Sequence, residues 1–148
     1  MLNYQRAASA DYELFFTLMQ EETADYLEHS LCLLQMTLTE FKHLFTIVGE
    51  VYGIYKHEEM CGFYWVEERE QVLHLHGLLL WADYRNKGIG TEVLQYLQSK
   101  YQFTMKIIEL GFHQSNQKAR KLYEKLGFHI VKEVSEIGFS IMQKQIET

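Results

Sequence analysis

The chain has 148 residues, of which 47 % are apolar and 23 % charged, and its formal net charge is −6. This length supports one domain with a sizeable buried core, and the composition is that of an ordinary globular protein. A negative balance without a dense Lys/Arg cluster argues against a nucleic-acid partner, which needs many phosphate contacts.

No apolar run approaches the ~20 residues that cross a bilayer, so no membrane partner is expected. The opening MLNYQRAASADYELFF has polar and acidic residues where a signal peptide needs a basic start and a continuous apolar stretch. A mature, cytoplasmic protein is expected. Cys32 and Cys61 are the only cysteines and have no CxxC spacing, which predicts two reduced, buried thiols. Without proline, repeats or low-complexity tracts there is no place to divide the chain, and residues 1–148 are expected to form a single domain.

Residues 2–6 read as a short strand. Ser9 or Asp11 is placed to cap a helix running to about Gln20, with Leu14, Phe15, Leu18 and Met19 at helical spacing. The acidic stretch EETADYLEHS reads as partly helical. Thr39 then looks like an N-cap for a helix ending near Gly49. From Val51 the period changes to two, and two strands are predicted around a turn at residues 57–59. QVLHLHGLLLW is a third strand, apolar on both faces after Gly77, as expected where helices cover a sheet. Residues 90–100 carry Val93, Leu94 and Leu97 on one stripe and read as a helix. Residues 106–112 are a strand, and Ser115 starts a helix stopped by Gly127. Residues 128–136 and 137–143 read as a terminal pair of strands. The order is roughly βααβββαβαββ, an α/β domain with a mixed sheet.

The chemistry-bearing stretch is RNKGIG, residues 85–90, between a strand and a helix. Gly88 and Gly90 can take positive φ and leave room for a ligand against the backbone. A helix starting there offers free N–H groups and the positive end of its dipole, which is an anion site. Thr91 adds a hydroxyl, and Arg85 and Lys87 add charge. The alternative is a plain tight turn with solvated basic residues. Neither GxxxxGK[ST] nor GxGxxG is present, so the two familiar nucleotide loops do not apply.

The loop resembles the R-x-x-G-x-G loop of the GCN5-related N-acetyltransferase (GNAT) family. ASADYELFFTLM resembles that family's opening helix. SNQKARKLYEKLGF, residues 115–128, resembles its second signature, N-x-x-A-x-x-x-Y-x-x-x-G-F. The likeness spans essentially the whole chain. It implies a mixed, mostly antiparallel central sheet flanked by helices, with a splayed cleft between the fourth and fifth strands. It implies acetyl-CoA as co-substrate and no metal. The pantetheine arm would lie along Leu78, Leu79 and Leu80. Arg85, Asn86, Lys87, Gly88, Ile89, Gly90 and Thr91 would hold the pyrophosphate. Asn116, Ala119 and Tyr123 would line the arm, with Asn116 and Tyr123 two helical turns apart on one face.

Two proton transfers are needed. A tyrosine of pKa ~10 facing a thiol near ~8.5 is a plausible general acid, and Tyr123 is assigned that role. A backbone N–H near Leu80 would polarise the thioester carbonyl. The base is less standard. Where many members carry a glutamate, this chain has His76, with His74 on the same side of the strand. That His-x-His resembles the arylalkylamine branch, in which the histidines relay the amine proton. A pair of structural histidines is the plain alternative. A zinc site including His113 or Glu109 is a remote one.

Two departures stand out. Trp81, Ala82 and Asp83 lie where many relatives have a proline, which is expected to loosen the turn. Phe112 replaces a smaller residue and is expected to narrow the cleft. The acceptor region carries Glu21, Glu22, Asp25 and Glu28, with Tyr52, Tyr55, Tyr64 and Trp65 on the central strands. That pattern suits a cationic amine, or else a solvated acidic face over an aromatic core. The expected activity is acetyl transfer to a primary amine, of a small molecule or of a protein or peptide. A non-catalytic acyl-CoA sensor is the rival from another class. A monomer or a homodimer fits equally.

Overall fold

The computed structural model describes residues 1–146. The elements are β1 (Leu2–Arg6), α1 (Ser9–Glu22), α2 (Leu27–Leu33), α3 (Leu38–Ile47), β2 (Glu50–Lys56), β3 (Glu59–Arg69), β4 (Val72–Leu80), α4 (Ile89–Tyr101), β5 (Ile107–His113), α5 (Gln117–Lys125), β6 (His129–Val134) and β7 (Phe139–Gln145). Short 3-10 turns occupy Ala82–Tyr84 and Ser135–Ile137. Three helices, not two, separate β1 from β2. The strands form one seven-stranded sheet in the order β1-β2-β3-β4-β5-β7-β6. β4 and β5 pair in parallel, and β1–β2, β5–β7 and β6–β7 pair antiparallel, so the sheet is mixed as expected.

The chain divides into two compact units. One comprises Met1–Trp65 and Gly77–Arg85, the other Val66–His76 and Asn86–Thr148. Each unit is built from two separate segments, so no single cut in the chain separates them.

In the first unit, α1 buries Phe15, Phe16, Leu18 and Met19, spaced to face one side. They pack with Phe45, Val51, Phe63 and Trp65. The Phe15 and Phe63 rings stack at 4.8 Å, and Phe45 meets Trp65 edge-on at 5.0 Å. The indole N–H of Trp65 donates to the Val48 carbonyl at 2.7 Å, so its polar atom is satisfied. Trp65 belongs to this aromatic packing, whereas Tyr64, also buried, meets Tyr4 at 5.8 Å and stacks on Tyr52 at 5.1 Å.

The helix caps differ from the sequence expectation. Ala8, not Ser9 or Asp11, is the N-cap of α1, and the Asp11 carboxylate accepts from the Ala8 N–H at 2.8 Å. Thr37, not Thr39, caps α3. Its hydroxyl accepts from the Glu40 N–H and the Glu40 carboxylate accepts from the Thr37 N–H, both at 3.1 Å. The TxxE spacing of this capping box was present in the sequence. Replacing Thr37 with alanine is expected to cost about 1 kcal/mol in urea unfolding, with Thr39→Ala nearly neutral. The thiols also differ from expectation: both are free, but Cys61 is buried and Cys32 is exposed on α2.

In the second unit, α4 buries Val93, Leu94, Leu97 and Tyr101, and the sheet contributes Leu73, Leu75, Ile108, Leu110 and Met142. β5 and β7 pair from Ile107↔Gln145 to His113↔Phe139. Ile137 is not in the last strand but in the 3-10 turn, and Gly138 follows it at φ 71° before β7 begins. α5 is capped by Asn116, not Ser115.

Candidate active site

The loop after the Ala82–Tyr84 turn holds two residues in the left-handed region. Asn86 has φ 61° and Gly88 has φ 81°. Asparagine tolerates this conformation better than most residues, and glycine carries no penalty there. Gly88 is the N-cap of α4, and the first helical bond runs from the Glu92 N–H to the Gly88 carbonyl. The N–H groups of Ile89, Gly90 and Thr91 therefore lie ahead of the helical ladder, at the positive end of the dipole. A Cβ added to Gly88 meets nothing within 4 Å, so space for an anion exists at this corner. Gly90 does not use positive φ, contrary to expectation. It is the second residue of α4, and a Cβ there would lie 3.4 Å from Leu122 of α5. Asn86, Lys87 and Gly88 are exposed, Gly90 and Thr91 are half-buried, and Ile89 is buried as a core anchor.

In the first unit, Leu78, Leu79 and Leu80 end β4, all half-buried. β3 approaches them very closely. A Cβ on Gly62 would sit 2.0 Å from the Leu79 carbonyl oxygen. The turn that follows is tied, not loosened. The Trp81 N–H, which a proline would lack, donates to the Cys61 carbonyl at 3.0 Å, and the Tyr84 hydroxyl donates to Glu59 at 2.9 Å. Arg85 is already engaged: Nε donates to the Leu80 carbonyl at 2.9 Å, and Nη2 pairs with the Glu22 carboxylate at the end of α1. This pairing was not visible in the sequence.

The helices of the first unit line an open pocket of about 530 Å³, with Gln20, Ala24, Leu27, Glu28, Leu31, Cys32, Met36 and Leu38 around it. Of the four acidic residues singled out in the sequence, Glu28 lines this pocket and Glu22 faces Arg85 instead. Glu21 and Asp25 are exposed.

In the second unit, the Asn116 Oδ1 accepts from the Ala119 N–H at 3.1 Å. Asn116 is thus the N-cap of α5 and not, as expected, a residue within the helix that carries Tyr123. Tyr123 does lie within α5, half-buried, with its ring 6.1 Å from Phe112 and 5.9 Å from Phe128. Phe112 serves as packing for the tyrosine.

The two histidines do share a face of β4, their rings 6.2 Å apart and nearly parallel. Each meets a carboxylate from a neighbouring strand. His76 Nε2 is 2.8 Å from Glu67 Oε1 of β3, and His74 Nδ1 is 3.1 Å from Glu109 Oε1 of β5. Sequence reasoning missed Glu67. The signal was available, because a two-residue turn at Glu70 and Gln71 folds β3 back along β4. Desolvation of the ring pushes the His76 pKa down, and Glu67 opposes this without cancelling it. His76 is therefore held below the ordinary histidine value. Among the described residues, no group of three or more His, Cys, Asp or Glu side chains is arranged to hold a metal.

A glycine-capped helix start thus follows a strand of a mixed sheet, and a half-buried tyrosine lies on the next helix. The model of the acetyltransferase (GNAT) family matches residues 10–128, and the chain belongs to that family. Its fold is shared by the ribosomal-protein-S18-alanine N-acetyltransferase of Escherichia coli, with TM-score 0.70 and 16 % identity over 100 % of this chain and 96 % of that one. It is shared by spermidine N-acetyltransferase of Vibrio cholerae, solved with CoA and spermine, with TM-score 0.71 and 16 % identity over 98 % and 95 %. An aminoglycoside N(6')acetyltransferase of Legionella pneumophila superposes with TM-score 0.76 and 19 % identity over 98 % and 92 %. No curated protein matches the sequence at a significant level.

Proposed function

We propose that this protein transfers the acetyl group of acetyl-CoA to a primary amine, by direct attack of the amine on the thioester. The observation that carries this reading is the left-handed loop at Asn86 and Gly88, which opens α4 toward an anion. The backbone of residues 86–91 would take the pyrophosphate, with Arg85 and Lys87 adding charge. Leu78, Leu79 and Leu80 would carry the pantetheine arm, and Asn116, Ala119 and Tyr123 would contact it from α5. CoA in the spermidine enzyme and in the Thermoplasma acidophilum PaiA N-acetyltransferase supports the same co-substrate here.

Tyr123 is the general acid for the departing thiolate. His76 is the base, with His74 behind it. A base works best when it is unprotonated at the operating pH, and the lowered pKa of His76 favours that state. A small-molecule amine is favoured over a peptide amine because the α1–α3 pocket of about 530 Å³ has small-molecule size and Glu28 gives it a site for a cation. The test is calorimetric titration with acetyl-CoA, followed by thiol release against spermidine, tyramine, kanamycin and an N-terminal alanine peptide. Binding and release with a small amine are the expected results. Release with the peptide alone would move the acceptor to the protein class. Binding without release would favour the sensor, and absence of binding would remove the loop assignment.

A further inference from the structure

A row of polar side chains lies along one face of the second unit's strands. Gln143 Nε2 of β7 donates to Glu109 Oε2 of β5 at 2.6 Å. Glu109 Oε1 lies 3.1 Å from His74 Nδ1 on β4. The His74 ring stacks beside His76. His76 Nε2 meets Glu67 Oε1 on β3 at 2.8 Å, and Arg69 Nη2 donates to the same Glu67 oxygen at 2.7 Å.

The protonation states follow from chemistry. Burial raises the Glu67 pKa, but the hydrogen bonds from His76 and Arg69 outweigh it and hold the carboxyl below its ordinary value. Glu67 is therefore an anion at neutral pH and can only accept. The His76 nitrogen facing it, Nε2, must carry the hydrogen, which leaves the lone pair of neutral His76 on Nδ1. On the other side of the row, Glu109 faces His74 through Nδ1. A carboxylate behind an imidazole fixes its tautomer and stabilises the imidazolium that forms when it takes a proton.

We propose that Glu67 and Arg69 are positioning residues for the His76 base, Glu67 fixing its tautomer and Arg69 setting how strongly that carboxylate acts. This rests on the reading of His76 as the base. In each turnover an ammonium acceptor loses one proton to become the attacking amine, and that proton goes to His76 Nδ1. The N–C bond forms as the C–S bond breaks. The tetrahedral nitrogen gives up its second proton, and the thiolate receives one from Tyr123, whose phenol is restored by that second proton. One proton is released overall, from His76 to water. The Glu67 carboxylate keeps its hydrogen bond throughout and does not itself become protonated.

The two residues act on His76 with opposite sign. Glu67 raises its pKa, whereas Arg69 lowers it, as does the neighbouring His74. Glu109 lies beside His74, and the strand register sets His129 and Lys132 of β6 farther along the same face. Histidine-labelled protein titrated by NMR reads the effect without any substrate. Glu67→Gln is expected to move the His76 titration to lower pH and to mix its tautomers, and Arg69→Gln to move it to higher pH. Shifts in one direction, or none, overturn the proposal. Thiol release with acetyl-CoA and the most active amine of the panel above supplies the second arm. There His76→Ala should lose about 10²-fold in turnover and its acid limb, and Glu67→Gln should lose less and shift that limb down. Opposite NMR shifts with an unchanged profile in His76→Ala would overturn the base assignment, whereas flat titrations with a lost limb would overturn the positioning role alone.

Discussion

Replacing Tyr123 with phenylalanine is expected to cut turnover by about 10²-fold or more while leaving acetyl-CoA affinity within about twofold. The change removes one oxygen and keeps the ring. The ring is what packs between Phe112 and Phe128, so α5 should keep its place. On the proposed mechanism, what is lost is the proton for the departing thiolate. A CoA thiolate expelled without a donor raises the barrier by the amount general acid catalysis supplies, about 3 kcal/mol for two decades of rate. Thiol release and calorimetry on the same protein sample separate the two quantities. Unchanged turnover would remove Tyr123 from the mechanism. A parallel loss of affinity would make it a cofactor contact only. A sensor would show no turnover in either protein.

The second large effect concerns stability. Gly62→Ala places a Cβ 2.0 Å from the Leu79 carbonyl oxygen and 2.8 Å from the Leu80 Cα. These are backbone atoms of β4 and cannot rotate away. Ordinary overpacking in a core costs about 1–3 kcal/mol, because side chains share the strain. Here a strand must move, and a loss of at least about 3 kcal/mol is expected, or roughly 10 °C in Tm for a chain this size. The control is Gly111→Ala, whose Cβ would lie 3.2 Å from the end of the Ile141 side chain, which can swing aside. Thermal unfolding of the two variants should differ sharply. Equal Tm values would show that β3 and Leu79 leave room for a methyl group at Gly62. Because the displaced residues are those proposed to carry the pantetheine, any Gly62→Ala protein that folds should also bind acetyl-CoA more weakly.

The glycine loop was legible because its constraint is local. Gly88 needs φ 81° whatever the rest of the chain does, and the alternation of strand, loop and helix around it is written in nearby residues. Gly90 was read less well. Its role is contact with Leu122 in another helix, which no local pattern announces. The element types came through because the hydrophobic periods are strong, whereas the helix starts did not. Caps depend on which of several neighbouring polar residues turns its side chain back, and Thr37 was passed over for Thr39 although Glu40 marked the box. His74 and His76 were found by alternation along one strand. Their carboxylate partners are on other strands, and finding Glu67 required counting across the turn at Glu70 and Gln71. Nothing in the sequence linked Glu22 to Arg85, which are 63 positions apart.

That last pair changes what binding at the loop arginine means. Arg85 has a resident counter-ion, supplied by the last residue of α1, and a carbonyl acceptor at Leu80. A phosphate that engages its guanidinium meets a charge already neutralised. On the proposed function the event would be an exchange of anions, Glu22 giving way to the phosphate, and its free energy would be the small difference between two ion pairs. Leu80 and Glu22 hold the guanidinium in one orientation, so little side-chain freedom would remain to be lost on binding a phosphate.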